Sequence, residues 1–207
     1  MKHNIIVNTG TGKLGNNVFY VRGGLQMARI YQPVVANPRT RPQLQAREKF
    51  ALLSDIAGKM GCIVKMGFMP WKDSRISQQN KFIELNKNTI NSSMEPEYDL
   101  MQVAKGTLTP CDWGSANFAT PEKVIVPIEA GNVEACDASA DDDVFVGVYC
   151  ESKGMAITPV SGKRGDPSIT VDVPQSWQGN KVYVWAWVQN AEGKTSDSFF
   201  CGSGTIG

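Results

Sequence analysis

The sequence has very little of the side-chain chemistry on which most hydrolytic and metal-dependent enzymes rely. Its 207 residues contain one histidine, at the third position, His3, which disfavours Ser-His-Asp and Cys-His catalysis. The five cysteines include no C-x-x-C pair, which disfavours a zinc site and a disulfide framework. We therefore expect no enzyme, no metal site and no cofactor, and we expect thiols that stay reduced, as in the cytosol.

Long apolar runs are also missing. No stretch approaches the roughly 18–20 apolar residues that a membrane-spanning helix needs. Near the N-terminus only Ile5-Ile6-Val7 is apolar, which is too short for a signal-peptide core. The sequence thus predicts synthesis in the cytoplasm and no membrane partner, while its 42% hydrophobic residues are enough for a packed core.

The net charge of +1 conceals two segments of opposite sign. Residues 1–75 contain twelve basic and three acidic side chains, a net charge of +9. Residues 76–207 contain nine basic and seventeen acidic side chains, a net charge of −8. Such asymmetry favours a polyanion or an acidic protein surface as partner. That surface could belong to a second copy of the chain; two solvated faces without a partner are the remaining alternative.

The N-terminal region is expected to be a basic, glycine-rich β-hairpin arm. Residues 4–7 form a candidate strand, and a glycine-rich turn covers 9–15. Residues 17–22 and 25–31 are rich in β-branched and aromatic side chains, and Gly23-Gly24 between them suits a tight hairpin turn. Neither face of the return strand is purely apolar, so we expect the hairpin to need a partner.

Two helices are predicted after the arm. Thr40 is a suitable N-cap for a helix that ends near Lys59 or Met60. Apolar spacing predicts a second helix over 74–90. The apolar stretch 62–71 between them is expected to be a buried connector.

Beyond Pro96 the pattern changes to short strands separated by turns, which is typical of a sandwich. The predicted strands are 100–104, 123–128, 143–150, 168–173, 182–189 and 197–202. The predicted fold class is α+β: the arm at 1–36, a helical segment at 37–96, and an immunoglobulin-like antiparallel β-sandwich at 97–207.

Cations and tyrosines occur together in the arm and the first helix. Arg and Tyr are enriched in protein interfaces, and cations beside aromatic rings also suit a nucleic-acid strand. No zinc finger, RNP-type strand or clear helix-turn-helix is present, so we expect protein assembly first and nucleic-acid binding second. The candidate binding residues are Lys13, Arg22, Arg29, Arg39, Arg41, Arg47, Lys49, Tyr20 and Tyr31.

Two motifs in the predicted sandwich have both a functional and a structural interpretation. Trp185 and Trp187 share one face of a predicted strand, so they form either an aromatic platform for glycans or part of the core. The run 141–143 of three aspartates could hold Ca²⁺, although a solvated loop at a strand end is favoured.

The glycine-rich turn has a weak likeness to phosphate-binding loops. Gly10, Gly12 and Gly15 match the spacing G-x-G-x-x-G. However, strand-forming residues follow them and Lys13 precedes the last glycine, so neither the dinucleotide nor the Walker motif is present. Nucleotide binding is therefore disfavoured.

Three stretches carry a more specific pattern. They are Gly12-Lys13-Leu14-Gly15-Asn16 with Tyr20-Val21-Arg22; Asn37-Pro38-Arg39-Thr40 with Gln43, Arg47, Lys49 and Phe50; and 173–179 with Val182-Tyr183, 191–194 and 196–198. Together they resemble a family of uncharacterised proteins from Bacteroidetes and phages of those bacteria. The resemblance implies a basic N-terminal segment before an immunoglobulin-like domain.

A phage association would favour a virion component. We therefore expect a non-enzymatic structural protein, of a phage head, neck or tail, that self-associates or docks on other subunits through its arm. Its synthesis would be cytoplasmic and, if it is phage-encoded, its final place the virion.

Overall fold

The computed structural model describes residues 11–22, 24–34 and 39–207, so the strand predicted at 4–7 lies outside the described residues. The chain divides into two compact units, Met1–Leu44 and Gln45–Gly207, which we call the arm unit and the body. The three-part division expected at residues 36 and 96 follows changes in sequence character, whereas the compact units divide after Leu44.

The described part of the arm unit contains a three-stranded antiparallel sheet, the arm sheet. Its strands, in spatial order, are β1 (Gly12–Leu14), β2 (Asn17–Arg22) and β3 (Leu25–Ile30). Arg22 pairs with Leu25 across the turn, where Gly24 has a φ of 74° that favours glycine. The predicted hairpin is confirmed. The predicted glycine-rich turn is shorter, since part of it forms β1.

Helices form the first part of the body. Within the described residues they are α1 (Arg41–Lys59), α2 (Gly61–Gly67) and α3 (Gln78–Asn86). The bounds predicted for the first helix are confirmed. None of these helices is both long and apolar enough to cross a membrane.

The second predicted helix corresponds to α3 but is shorter. Its N-cap is Ser77, whose hydroxyl accepts a hydrogen bond from the backbone N–H of Asn80. The helix ends at Asn86, whose buried side chain donates to the carbonyl of Gln102 and accepts from the N–H of the same residue. Those bonds tie the helix end to the following chain segment.

The connector expected at 62–71 is only partly buried and is largely helical. It contains most of α2 and a 3₁₀ turn, Met69–Trp71. Ile63 and Val64 are buried in the core, and burial of β-branched residues outweighs their modest helix propensity here.

The rest of the body is a two-sheet antiparallel sandwich. Its strands are β4 (Asp112–Trp113), β5 (Lys123–Ala130), β6 (Asp143–Cys150), β7 (Met155–Ala156), β8 (Val160–Lys163), β9 (Ser168–Asp172), β10 (Lys181–Gln189) and β11 (Phe199–Thr205). One sheet has the order β4-β5-β9, and the other has the order β11-β10-β6, with β7 and β8 both paired to β6. The predicted strands from 123 onward are confirmed.

The strand predicted at 100–104 is wrong. A 3₁₀ turn covers Tyr98–Leu100, and the chain that follows runs as irregular structure. The buried Val103 donates its N–H to the Ser198 hydroxyl at 2.9 Å. The Ser198 hydroxyl thus accepts a hydrogen bond that the backbone of a neighbouring strand would accept in the β-sheet predicted from the apolar pattern.

The body has two hydrophobic cores that share β6 and β10. Alternate residues of both strands, such as Val146 and Val184, face the other sheet and form the inner core. The intervening residues, among them Tyr149, Trp185 and Trp187, face the helices and form the outer core. The helices therefore cover the outer side of one sheet, and from Gln45 onward they belong to the same compact unit as the sandwich.

Candidate interaction surface

The register of the arm sheet sorts its side chains into two chemically different faces. Cross-strand partners in an antiparallel sheet point to the same side, and here Val18 pairs with both Lys13 and Arg29. That side, the basic face, carries Lys13, Val18, Tyr20, Arg22, Leu25, Met27 and Arg29. The other side, the apolar face, carries Gly12, Leu14, Asn17, Phe19, Val21, Gln26, Ala28 and Ile30.

The apolar face is uncharged and open. Leu14 is 70% exposed, Val21 49% and Ile30 73%, and no described side chain of the arm sheet is buried. Exposed apolar side chains grouped on one face mark an interaction surface more often than scattered ones do. The sequence pattern indicates the cations of this region but does not reveal the apolar face.

The basic face brings together five of the predicted binding residues. The ammonium group of Lys13 lies 3.6 Å from the centre of the Tyr31 ring, a cation–π contact that places this tyrosine on the same side. Tyr20 lies on the middle strand. The cations lie around it, with Lys13 and Arg29 on the outer strands and Arg22 at the end of β2.

The other predicted binding residues lie at or beyond the start of α1. Arg39 precedes the helix, and Arg41 and Arg47 are exposed on it. Lys49 has a structural role instead, because its ammonium group donates to the carbonyl of Ile90 at 2.9 Å. This bond holds α1 against the segment that follows α3.

The structure contradicts the aromatic platform. Trp185 and Trp187 have no exposed surface, whereas stacking on a sugar requires an open ring face. The Trp187 ring stacks on Phe145 with 5.8 Å between centres, and Trp185 contacts Phe200 at 5.6 Å. Both indoles belong to the outer core.

The acidic run 141–143 is neither a solvated loop throughout nor a cation cage. Asp142 is buried and pairs with the fully buried Arg164, at 3.2 Å between Oδ2 and Nη2. Asp143 pairs with Lys163 at the surface. Across the described ranges, no three His, Cys, Asp or Glu side chains are grouped so that they could hold a metal ion.

The glycine-rich turn serves the arm sheet. Gly12 and Lys13 lie in β1, and Gly15, with a φ of 57°, makes the turn into β2. Gly10 lies outside the described residues.

An acidic cleft of about 370 Å³ on the body has no counterpart among the sequence predictions. It lies between the 98–100 turn and the strands β10 and β11, on the side of the sheet that ends with β11. Its lining residues are Pro96, Glu97, Tyr98, Asp99, Lys181, Tyr183, Phe200 and Ser203. These residues are far apart in sequence, so spacing gives no signal for the cleft.

Tyrosines and a carboxylate fix the wall of the acidic cleft. The hydroxyls of Tyr98 and Tyr183 donate to the two carboxylate oxygens of Glu151, at 3.4 and 3.1 Å. Burial, and then the charge of Glu151, raise the pKa of Tyr183 to about 12. Burial raises the pKa of Tyr98 as well. Both hydroxyls therefore remain donors at neutral pH.

Of the charged residues that line the acidic cleft, Glu97 and Asp99 are acidic and Lys181 is basic. In the part of the chain that the structure describes, no ion pair includes Glu97, Asp99 or Glu151. Beside them Leu100 is 60% exposed, and the 98–100 turn packs against β11, whose Phe199 is 47% exposed. This region of the body is both acidic and apolar.

Comparisons with known proteins identify a family and leave its activity open. None of the curated proteins matches the chain. Among solved structures, the solution structure of the fn3 domain of the human collagen alpha-1(XX) chain is 14% identical and covers 50% of this chain and 84% of that one. Its TM-score of 0.35 is too low to support a structural argument. The sequence model of DUF6266, a family of unknown function, matches residues 9–202, and the chain therefore belongs to that family.

Proposed function

We propose that the protein is a non-enzymatic assembly protein whose arm joins it to other protein subunits. The observation that carries this proposal is the open, uncharged apolar face of the arm sheet, with Leu14 and Ile30 each at least 70% exposed. A three-stranded sheet that buries no side chain gains little hydrophobic stabilisation. A partner that covers this face supplies the missing burial.

The body is suited to act as the rigid part of such a subunit. Its two cores share β6 and β10, and helices cover the outer sheet face. We infer further that the sandwich is of the immunoglobulin type, because β4-β5-β9 and β11-β10-β6 reproduce the separation of strands A, B and E from C, F and G. Immunoglobulin-type sandwiches occur in many cell-surface and assembly proteins without shared sequence.

A place in a phage particle rests on the sequence resemblance alone. The genes that flank this one in its genome test it, since capsid, portal or tail genes are expected beside a virion gene. Flanking genes of unrelated metabolism would contradict a virion role and leave the assembly role in place.

Photo-crosslinking in the source cells tests the assembly role. A photoreactive residue at Ile30, on the apolar face, is expected to form crosslinks to other protein subunits. The same probe at Val133, which is 46% exposed on the body, serves as the matched control. Deleting residues 1–38 is expected to move the protein from a high-mass fraction to free chains. A chain that sediments freely with and without these residues contradicts the proposal.

A second candidate function is nucleic-acid binding by the basic face. The observation that favours it is the position of Lys13, Arg22 and Arg29 around Tyr20 on one side of the sheet. Such a surface offers both phosphate contacts and a stacking ring. Anisotropy titrations with single- and double-stranded oligonucleotides at about 50 mM salt test it.

The decisive variant for nucleic-acid binding is Arg22→Gln with Arg29→Gln. It is expected to lower affinity and to reduce the slope of log K against log salt by about 1 for each phosphate that the variant no longer neutralises. A wild-type chain without salt-dependent affinity excludes this second function.

A further inference from the structure

We propose that the apolar face of one copy's arm sheet docks on the body of a second copy, over Leu100 and the rim of the acidic cleft, and that two copies exchange arms in this way. The inference rests on the proposed function and names its partner. A symmetric pair uses the same two surfaces twice, as homodimers with closed symmetry do.

Charge complementarity points to the chain itself as the partner. Residues 1–44 contain six basic side chains and no acidic one, and residues 45–207 contain fifteen basic and twenty acidic side chains. An arm therefore carries +6 and a body −5. Two arms in contact would repel each other, whereas an arm on a neighbouring body brings opposite charges together.

The unpaired carboxylates indicate which part of the body receives the arm. At the other end of β6 and β10, away from the acidic cleft, Asp142, Asp143 and Glu192 already pair with cations of the same chain. Glu97 and Asp99 have no ion pair among the described residues, and Leu100 beside them is exposed. This surface offers an apolar contact together with two carboxylates, which outnumber the single positive charge of Lys181.

The layout of the arm sheet fits that surface. Leu14 and Ile30 lie on its outer strands, and Lys13 and Arg29 are their sequence neighbours, with side chains that start from the opposite face. Long basic side chains bend around a sheet edge and bring their charges to the rim of a contact. An apolar centre with a charged rim is the usual construction of protein interfaces.

The area supports exchange rather than a single contact. One strand of three residues and two of six, at standard spacing, cover roughly 250 Å² on one face. One arm on one body is therefore too small for a stable complex. Reciprocal exchange buries roughly 1,000 Å² over both chains, which is about the smallest area expected of a specific interface.

The first test compares two variants that each remove two apolar side chains without changing charge. Leu14→Ser with Ile30→Ser alters the apolar face, and Leu25→Ser with Met27→Ser alters the basic face of the same sheet. Sedimentation equilibrium of the full chain is expected to show a dimer. The first variant is expected to raise its dissociation constant about a hundredfold or more, and the second by less than about threefold. Equal effects of both variants overturn the assignment of the face.

The second test identifies the receiving surface by charge reversal. Lys13→Glu with Arg29→Glu, and separately Glu97→Lys with Asp99→Lys, are each expected to weaken the dimer. A chain with all four changes is expected to dimerise at least tenfold more tightly than either double variant. If the four changes together do not restore the affinity of the dimer, the acidic cleft is not the receiving surface. Docking through the apolar face is then supported by the first test alone.

Other occupants of the apolar face give distinct results. A monomer at about 100 µM protein overturns the inference, and hydrogen exchange then shows whether the arm is protected by its own body. If nuclease treatment dissociates the dimer, nucleic acid holds the two chains together, and the inference is overturned. If the purified chain is monomeric but its arm forms crosslinks to other proteins in the source cells, the exchange of arms is overturned. The proposed assembly function is then retained.

Discussion

At the residue scale, Arg164 has the most demanding environment in the body. Its side chain is fully buried, and its guanidinium donates to the carbonyls of Gly131 and Thr109, both at 2.9 Å, besides pairing with Asp142. Three loops at one end of the sandwich are thereby held by one side chain. Lysine cannot replace it, since a single ammonium group lacks the planar fork that reaches several acceptors.

Removing Arg164 is expected to be strongly destabilising. Arg164→Met leaves Asp142, which is 6% exposed, as a buried charge without its partner, and this costs about 3–5 kcal/mol in the free energy of unfolding. Urea denaturation measures the loss. The matched control is the neighbouring Lys163→Met, whose pair with Asp143 is about half exposed and screened by solvent, so that a much smaller loss is expected. Equal losses in the two variants would show that Arg164 is not the link between these loops.

Tyr183 makes stability depend on alkaline pH. Burial and Glu151 raise its pKa from the ordinary 10.0 to about 12, so on raising the pH the unfolded chain loses this proton before the folded chain does. The contribution is complete below pH 10 and is lost as the pH approaches 12. Burial also raises the pKa of Cys111 to about 11 and of Cys201 to about 12, which acts in the same direction.

Tyr183→Phe isolates the tyrosine from the thiols. The variant loses the hydrogen bond to Glu151 and is expected to be less stable at neutral pH. Between about pH 10 and 12 its stability should then fall less steeply than that of the wild type. Urea midpoints across this range measure the two slopes, and parallel slopes would contradict the assigned pKa shift.

At the scale of elements, α2 depends on a close approach that only glycine permits. A Cβ on Gly67 would lie 2.0 Å from the carbonyl oxygen of Val103. Gly61, at the other end of the same helix, has open space around it. Gly67→Ala is expected to cost about 2 kcal/mol or more, while Gly61→Ala is expected to stabilise by about 0.5–1 kcal/mol. Thermal denaturation of the two variants checks the opposite signs.

The sequence predicted elements well where one signal dominated. The strand predicted at 143–150 matches β6, because its alternating valines and aromatics leave little choice of structure. The short strands β7 and β8 have no such pattern, and they form because they pair with β6. The helix α2 is not predicted, since its β-branched residues and two glycines are typical of a connector, although burial decides its structure.

At the scale of the whole molecule, the sequence indicated part of the candidate interaction surface. The cations and tyrosines of the arm are visible in composition alone. Which side chains lie on the basic face and which lie on the apolar face depends on β1, and the sequence pattern places Lys13 of this strand in a turn. The two faces could therefore be assigned only from the register of the sheet. The acidic cleft joins residues as distant as Glu97 and Tyr183, and only the packed body brings them together.

The two compact units predict that the body folds without the arm. A chain beginning at Arg39 keeps Thr40, whose carbonyl accepts the N–H of Leu44 in the first turn of α1, together with both cores of the body. Its free energy of unfolding is expected to stay within about 0.5 kcal/mol of the full chain's, measured on monomers at low concentration. Leu53→Ala, at a core position of α1 that is 1% exposed, is the positive control and is expected to cost about 2–5 kcal/mol. If the truncated chain loses as much stability as Leu53→Ala does, the arm stabilises its own body. If the truncated chain keeps its stability but is strictly monomeric, the arm's role lies in joining subunits.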